Sequence, residues 1–305
     1  MKKVLLLSLG LLAIHVCQAQ ELEVNMKGYG EKKLKKFPKK AYIKEFNVNF
    51  QMAADAKAVS KTTTNSRKGS SSASMSVAVT GVDVKELQNI TNTVYQEFVS
   101  SLEAEGFEII PVEEAGKAKF FADHDLLESN INEAQNPGWL KVTPDGFKYY
   151  VKKLDKKGKE KQAAVPMKLL KELDDVLILT ADYSFSSIYL NANQNTTFGT
   201  SSVKGKVGLK MPGCSISAMG GIMTSLAFGP KKTPEFEGIF ADEGEKLKAF
   251  SRASPPTFSG FLTHTSNDFT HEAEANAEKY QSETIGVIND FNGKALGQLM
   301  GYFAN

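Results

Sequence analysis

An amphipathic segment at residues 84–105 constrains the fold of this chain more than any other feature. Asp83 and Glu86 have the spacing of a capping box, in which each side chain accepts the backbone N–H of the other residue at the start of a helix. Gly106 supplies the left-handed residue at which many helices end. The segment is therefore predicted to be a helix, and its apolar face consists of Leu87, Ile90, Val94, Phe98 and Leu102.

Strands are predicted on both sides of this helix. Phe46, Val48 and Phe50 alternate with polar residues in segment 41–50, and Ile43 breaks that alternation. An apolar strand over 107–112 follows the helix, so the order suggests a crossover unit, which is right-handed if the two strands are parallel. The predicted fold class is α+β (or α/β), with a mixed β-sheet and amphipathic helices packed on one of its faces.

The remaining segments divide into further predicted elements of one domain, 41–305, with a subdivision near residue 160 as the alternative. Residues 60–76 are rich in Ser and Thr and have little apolar surface to bury, which predicts a mobile loop. Gly286 and Gly293 predict two C-terminal helices broken near 292–293, because each glycine costs about 1 kcal/mol inside a helix. Other predictions are a short helix over 115–127, a helix over 167–173, strands over 147–151, 176–180 and 203–211, a turn over 191–195, and a helix over 242–251.

The N-terminus has the layout of a secretory signal peptide. Lys2 and Lys3 precede a mostly apolar run over 4–16, and small residues stand at Cys17 and Ala19. Cleavage after Ala19 would leave a mature chain that begins at Gln20, exported to the periplasm, the outer-membrane surface or the extracellular space. Cys214 would then be the single cysteine, which excludes an intrachain disulfide.

Charge argues against nucleic acid as a partner. The chain has 37 Lys and Arg residues against 35 Asp and Glu residues, and loss of Lys2 and Lys3 would make the two numbers equal. Lysines are concentrated in the lead-in over 20–40, which is predicted to be a solvated, mobile arm. The alternative is contact with an anionic lipid or polysaccharide surface through Lys32, Lys33, Lys35, Lys36, Lys39 and Lys40.

Candidate catalytic residues are few, and each also has a structural interpretation. Cys214 is a possible nucleophile, although no family signature surrounds it and free cysteine is commonly a small buried apolar residue. His124 lies between two aspartates, and His264 and His271 lie near acidic residues, yet none of these has the spacing of a known metal motif. No cofactor and no metal are therefore expected.

Two weak binding features complete the set of candidate sites. Trp139 follows a Pro-Gly pair and could stack on a sugar, although a lone tryptophan near a turn is more often local packing. Lys204, Lys206 and Lys210 alternate with apolar residues and would form the basic outer face of a strand.

Residues 41–112 resemble the opening of periplasmic domains of the curli-secretion-channel and TolB amino-terminal kind. The shared pattern is an alternating strand, a Ser-rich segment, an Asp-capped helix that contains Tyr95 and Phe98, Gly106, and a strand over 107–112. The secretion channels are lipidated, whereas Val16 precedes Cys17 where a lipoprotein signal has a small residue. The resemblance implies an envelope protein that assembles or binds partners, and it carries over no catalytic residue.

The sequence thus favours an exported, non-catalytic binding or assembly protein of the bacterial cell envelope, with a homo-oligomer as one option. Two alternatives remain open at this point. One is a membrane-perturbing or pore-forming protein in which 176–228 rearranges into hairpins. The other is a secreted hydrolase with scattered active-site residues, in which His124, His264 or His271 is the base.

Overall fold

A computed structural model describes residues 22–304 except 65–66, 130, 133–135, 153–155, 157–166, 196–199, 222–223 and 245–268. The chain has a mixed α+β fold. Its helices are α1 (Glu31–Leu34), α2 (Val84–Ala104), α3 (Val112–Ala115), α4 (Met167–Glu172) and α5 (Ala277–Ala304), with a 3-10 helix at Lys119–Asp123. Its strands are β1 (Val24–Tyr29), β2 (Lys40–Gln51), β3 (Ala53–Thr64), β4 (Arg67–Thr80), β5 (Glu108–Ile109), β6 (Asp125–Glu128), β7 (Ile131–Asn132), β8 (Trp139–Val142), β9 (Lys148–Val151), β10 (Leu177–Asn195), β11 (Thr200–Gly220), β12 (Thr224–Pro230), β13 (Glu235–Phe236) and β14 (His271–Glu274).

The described strands form one large sheet and two smaller ones. The large sheet has the order β1-β12-β11-β10-β2-β8-β7, with β13 on β11 and β5 on β2. The small sheets are β14-β4-β3 and β6-β9. At the centre of the large sheet, β2 and β10 are parallel, while β10 and β11 form a long antiparallel hairpin. Parallel and antiparallel neighbours in one sheet confirm the prediction of a mixed sheet.

Strand β2 shows why the alternation of its sequence is interrupted. Leu179 pairs with Ile43 and Thr180 pairs with Glu45, so one extra residue, Lys44, stands in β2. Such a bulge reverses the alternation beyond it. It places both Ile43 and Phe46 in the main apolar core.

Helix α2 confirms the strongest prediction from the sequence. The Asp83 side chain accepts the N–H of Glu86 at 2.9 Å, and the Glu86 side chain accepts the N–H of Asp83 at 2.6 Å. Gly106 follows the helix with φ of +80°, a conformation that glycine adopts without steric cost. Helix α2 packs against α5 and β2, and its apolar residues are buried in the main core. Strand β5 then pairs parallel to β2, as the predicted crossover requires.

The C-terminal region is one helix, so the predicted break near 292–293 is wrong. In α5 both Gly286 and Gly293 face open space, and a Cβ added at either would meet no atom within 4 Å. The opposite face buries Tyr280, Ile288 and Phe291 completely. Packing of that face outweighs the low helix propensity of the exposed glycines.

Several other predictions are wrong at the residues that the structure describes. Segment 60–76 was expected to be a loop, but its residues 60–64 lie in β3 and its residues 67–76 in β4, and the two strands pair from Ala53 and Ala78 to Thr64 and Arg67. Segment 191–195, expected to be a turn, continues β10. The lead-in over 20–40, expected to be a mobile arm, contains β1, which pairs with β12, and α1. Segment 115–127 contains a 3-10 turn and part of β6 in place of a helix. The predicted helix over 242–251 lies mostly outside the described residues.

Candidate functional site

Two β-ribbons begin at the same level of the large sheet. The first ribbon is β3 paired with β4, and β3 begins two residues after the end of β2. The second ribbon is Ile188–Asn195 of β10 paired with Thr200–Val207 of β11. It begins just beyond Phe185, the last residue of β10 that pairs with β2. Strand β3 therefore leaves the sheet close to the point at which β10 loses its neighbour β2.

Each ribbon has one apolar face and one polar face, because successive side chains of a strand point to opposite sides. In the second ribbon Ile188 pairs with Val207 and Leu190 with Gly205, which forms the apolar face. Tyr189 pairs with Lys206 and Asn191 with Lys204, which forms the polar face. In the first ribbon, the apolar face carries Ala54, Ala56, Ala58, Ala73, Met75 and Val77, and the polar face carries Asp55, Lys57, Ser74 and Ser76.

The apolar faces of the two ribbons lie against each other. Strand β3 contacts β10 and β11, and β4 contacts β11. The amide N of Ser60 donates a hydrogen bond to Ser201 Oγ at 2.9 Å across this contact. Ala58 is fully buried there, whereas its neighbours Lys57 and Val59 are exposed. Small residues such as Ala56, Ala58 and Gly205 lie on these faces together with the larger Ile188, Val207 and Met75.

The edges of both ribbons are open in the part of the chain that the structure describes. No strand pairs with the outer edge of β3, and β14 borders β4 only at Val77–Thr80. Strand β13 borders β11 only at Leu209 and Lys210. Open edges present unpaired N–H and C=O groups and are templates for pairing with another strand.

A side-chain clamp lies where the second ribbon leaves the sheet. Gln51 Oε1 accepts hydrogen bonds from the backbone N–H groups of Ser187 and Ile188, both at 3.0 Å. The pairing of β10 with β11 shifts register twice between Ser184 and Ile188, so the main-chain ladder is irregular at the same place. The Gln51 side chain thus supplies the acceptor for two donors at this irregularity.

A polar cluster lies in the sheet below the ribbons, with Asn47 buried and Asn49 and Asp182 partly buried. The Asp182 carboxylate accepts long hydrogen bonds from Asn47 Nδ2 at 3.4 Å and Asn49 Nδ2 at 3.3 Å. Burial raises the pKa of Asp182, and these bonds and the positive charge of Lys141 offset only part of that effect. The ionised carboxylate is therefore less favourable in the folded chain than in water.

Asp182 predicts a specific pH dependence of stability. Its folded-state pKa lies above its unfolded-state value, so the native state binds this proton more tightly, and the contribution to stability is complete at low pH and is lost as pH rises through the folded-state pKa. We expect Asp182→Asn to be more stable than the wild type at pH 7, and this advantage to shrink as pH falls toward 4. Urea unfolding of both proteins at several pH values measures it. Asp125→Asn, at an exposed position of β6, is the matched control, and an Asp182→Asn effect that does not change with pH would contradict the prediction.

Cys214 lies in β11 opposite Tyr183 and is buried. Burial raises the pKa of its thiol strongly, and the nearby Asp182 carboxylate adds to that effect. The thiolate, which is the nucleophilic form, is therefore disfavoured. This environment is that of an apolar core residue.

His124 packs on aromatic rings. Its ring lies 4.7 Å from Phe120 and 5.4 Å from Phe121, measured between centroids, and Nδ1 lies 2.9 Å from Asp123 Oδ1. Its Nε2 is buried and has no hydrogen-bond partner among the described residues. The third member of the sequence motif, Asp125, begins β6 and is exposed.

His271 is the first residue of β14, and His264 lies outside the described residues. The Nδ1 atom of His271 lies 2.8 Å from Thr270 Oγ1, and that hydroxyl donates to the carbonyl of Ser76 at 3.0 Å. Partial burial lowers the pKa of His271. Because the Thr270 proton is already donated to Ser76, His271 does not face a free hydroxyl. Within the described residues, no group of three or more His, Cys, Asp or Glu side chains could hold a metal ion.

The predicted binding residues are divided between different elements. Trp139 is half-buried and pairs with Gln51 at the start of β8. Lys204 and Lys206 are exposed on the polar face of the second ribbon, whereas Lys210 binds Glu235 at 2.6 Å and lies over the Tyr189 ring.

The lysines of the lead-in lie at the opposite end of β2 from the ribbons. Lys32 and Lys33 lie in α1 and Lys35 and Lys36 follow it, and all four are exposed. Lys39 donates to the carbonyl of Glu105 at 2.6 Å, and Lys40 lies 3.5 Å from the Asp175 carboxylate.

Comparisons with protein-family models, with curated proteins and with solved structures gave no match. Among the described residues, no helix is both long and apolar enough to cross a membrane. The strand predicted over 203–211 is confirmed as part of β11, but its partner in the second ribbon and the first ribbon were not predicted from the sequence. The alternation of Ala54, Ala56 and Ala58 with polar residues is a strand signal that could have revealed the first ribbon.

Proposed function

We propose that this chain is an exported, non-catalytic protein of the bacterial cell envelope that assembles with other copies of itself through its two ribbons. The open ribbon edges carry this proposal. Strand addition at an open edge supplies main-chain hydrogen bonds, and alternate side chains supply specificity. Among the described residues, the edges of β3, β4 and β11 that lack a strand neighbour give a single protein enough contacts to build a closed or extended assembly.

The proposed export depends on the N-terminal pattern of Lys2, Lys3, the apolar run over 4–16 and Ala19. The resemblance of residues 41–112 to periplasmic domains supports the same compartment. N-terminal sequencing of protein recovered from the periplasm, the envelope or the medium tests it. We expect the first residue to be Gln20, and an intact Met1 would contradict export by this route.

The proposed absence of catalysis is supported by the surroundings of the candidate residues. The Cys214 thiol is buried with a raised pKa, and His271 contacts a hydroxyl whose proton is donated elsewhere. A secreted hydrolase would need a base within reach of a nucleophile or a bound water. The triple variant His124→Ala, His264→Ala, His271→Ala should assemble as the wild type does, and loss of a hydrolytic activity in it would contradict the proposal.

Assembly is tested with the mature chain that begins at Gln20. Sedimentation velocity over a range of concentrations, with and without lipid vesicles, should give a discrete species larger than one copy. A chain that stays monomeric in all of these conditions would overturn the proposed function.

A matched pair of proline substitutions tests whether ribbon edges make the assembly. The N–H groups of adjacent residues in a strand point to opposite edges, so Lys204→Pro and Gly205→Pro remove donors from different edges of β11. One of them removes a bond inside the ribbon and should lower stability. The other removes a donor from the open edge and should abolish assembly while leaving stability nearly unchanged. Assembly by both variants would contradict edge pairing.

Membrane perturbation is the second candidate, and the alternating faces of the ribbons favour it. A strand needs about 9–11 residues to cross a bilayer, and β3 and β4 have 12 and 14. Exposed Lys57, Lys204 and Lys206 could contact anionic lipid headgroups. Release of a trapped dye from vesicles that contain phosphatidylglycerol tests this function, with phosphatidylcholine vesicles as the control. Assembly without dye release would leave the first proposal standing and contradict the second.

A further inference from the structure

We propose that the contact between the two ribbons is autoinhibitory. In the single chain, each ribbon covers the apolar face of the other, and the ribbons must separate before they pair with a second copy. This inference rests on the assembly function proposed above. It adds that the unassembled chain keeps its two ribbons together and that assembly exposes their apolar faces.

The ribbon faces in contact are apolar, so exposing them to water would cost free energy. Ile188 and Val207 are nearly fully buried, and Leu190 packs against the main core. From the first ribbon, Ala54 and Met75 pack against the same core. Exposing these faces together would create a contiguous apolar patch, which in a monomer marks a surface awaiting a partner.

The contact combines small and large apolar side chains. Ala56, Ala58 and Gly205 each bury little apolar area, whereas Ile188 and Val207 belong to the same core cluster as Phe46, Phe50 and Phe185. The ring contacts of Phe46 with Phe98 and Tyr183, and of Phe50 with Phe185, join residues outside the ribbons. Separation of the ribbons would therefore expose the edge of this core without breaking those ring contacts.

The two ribbons are also joined to the sheet at defined points. Gln51 Oε1 accepts from the amides of Ser187 and Ile188, and the amides of Met52 and Ala53 donate to the carbonyl of Gly138 at 2.8 Å and 3.0 Å. In both places two successive backbone donors share one acceptor. At the Gln51 site the register of β10 with β11 is also irregular. These are the positions at which the main chain can bend as each ribbon moves as a unit.

A disulfide between the ribbons tests the inference. The Ser60 amide N lies 2.9 Å from Ser201 Oγ, so the two Cα atoms are at most about 6.8 Å apart, which is within the range of a disulfide. The test protein is the mature chain with Ser60→Cys and Ser201→Cys in a Cys214→Ala background. The control has Ser60→Cys alone in the same background.

We expect the oxidised double variant to form the crosslink as a monomer and to lose assembly in sedimentation velocity, and reduction to restore assembly. The single-cysteine control should assemble under both conditions. Equal assembly of the oxidised and reduced double variant would overturn the autoinhibitory contact and leave the proposed function standing. Failure of the crosslink to form in the monomer would overturn the contact itself. If the reduced double variant, the control and the wild type all stay monomeric, the proposed function fails and the inference fails with it.

Discussion

Phe46→Ala should lower the free energy of unfolding by about 3–5 kcal/mol, the range observed when a buried phenylalanine is truncated. Phe46 is fully buried in β2 under helix α2. Its ring centroid lies 5.1 Å from Tyr95, 5.5 Å from Phe98 and 5.6 Å from Tyr183, so it joins the helix to two strands of the sheet. Truncation would leave a cavity among aromatic rings that are fixed by their own neighbours. The surroundings can therefore collapse only partly.

Urea unfolding measures this loss as a lower midpoint at an unchanged slope. Tyr29→Ala is the matched control, because Tyr29 is also aromatic but is 57% exposed on β1. Its effect should stay within about 0.5 kcal/mol, as is usual for surface positions. A loss below about 1 kcal/mol for Phe46→Ala would mean that this ring does not occupy a packed interior site.

Gln51→Ala should have the second largest effect, about 1–3 kcal/mol for each buried donor that it leaves without an acceptor. Gln51 Oε1 serves two donors, the amides of Ser187 and Ile188. Ser187 is fully buried and Ile188 nearly so, which limits replacement of the lost acceptor by water. The second ribbon should remain folded but be held less firmly to the sheet.

Hydrogen exchange at these two amides is the direct measurement. Exchange of Ser187 and Ile188 should become faster in Gln51→Ala, while the amides within α2 keep the rates expected from global stability. Gln51→Glu keeps a side-chain oxygen in place and should restore slow exchange. Unchanged protection of both amides in Gln51→Ala would show that another group supplies their acceptor.

Local sequence signals correctly predicted the elements that are stabilised mainly by nearby residues. Helix α2 was predictable because its capping residues and its apolar stripe are read directly from positions 83–106. The interruption at Ile43 was visible too, and the structure explains it by the extra residue at Lys44. The C-terminal helix was partly misread, since the cost of Gly286 and Gly293 is local but the gain from burying Phe291 comes from the rest of the fold.

The Ser- and Thr-rich part of the first ribbon was mispredicted because its stability comes from distant segments. The Ser- and Thr-rich composition of 60–76 indicates a loop when that segment is considered alone. In the fold the same segment pairs along β3 and β4, and the buried Ala58 lies at the contact with a hairpin that begins at Leu177. The sequence shows only the residue types of isolated candidates such as Cys214 and His124. Their burial among apolar side chains follows from the tertiary structure, which the sequence pattern does not show.

The parallel pairing of β2 with β10 has a consequence for the order in which this protein can acquire its structure. Ala41 pairs opposite Leu177, so the centre of the large sheet joins residues 136 positions apart in the chain. Contacts of such long sequence separation form slowly. During synthesis, β2 can pair with β5 and β8 within the first 176 residues, but its neighbour β10 emerges only afterwards. The centre of the large sheet is therefore completed only when the second half of the chain is available.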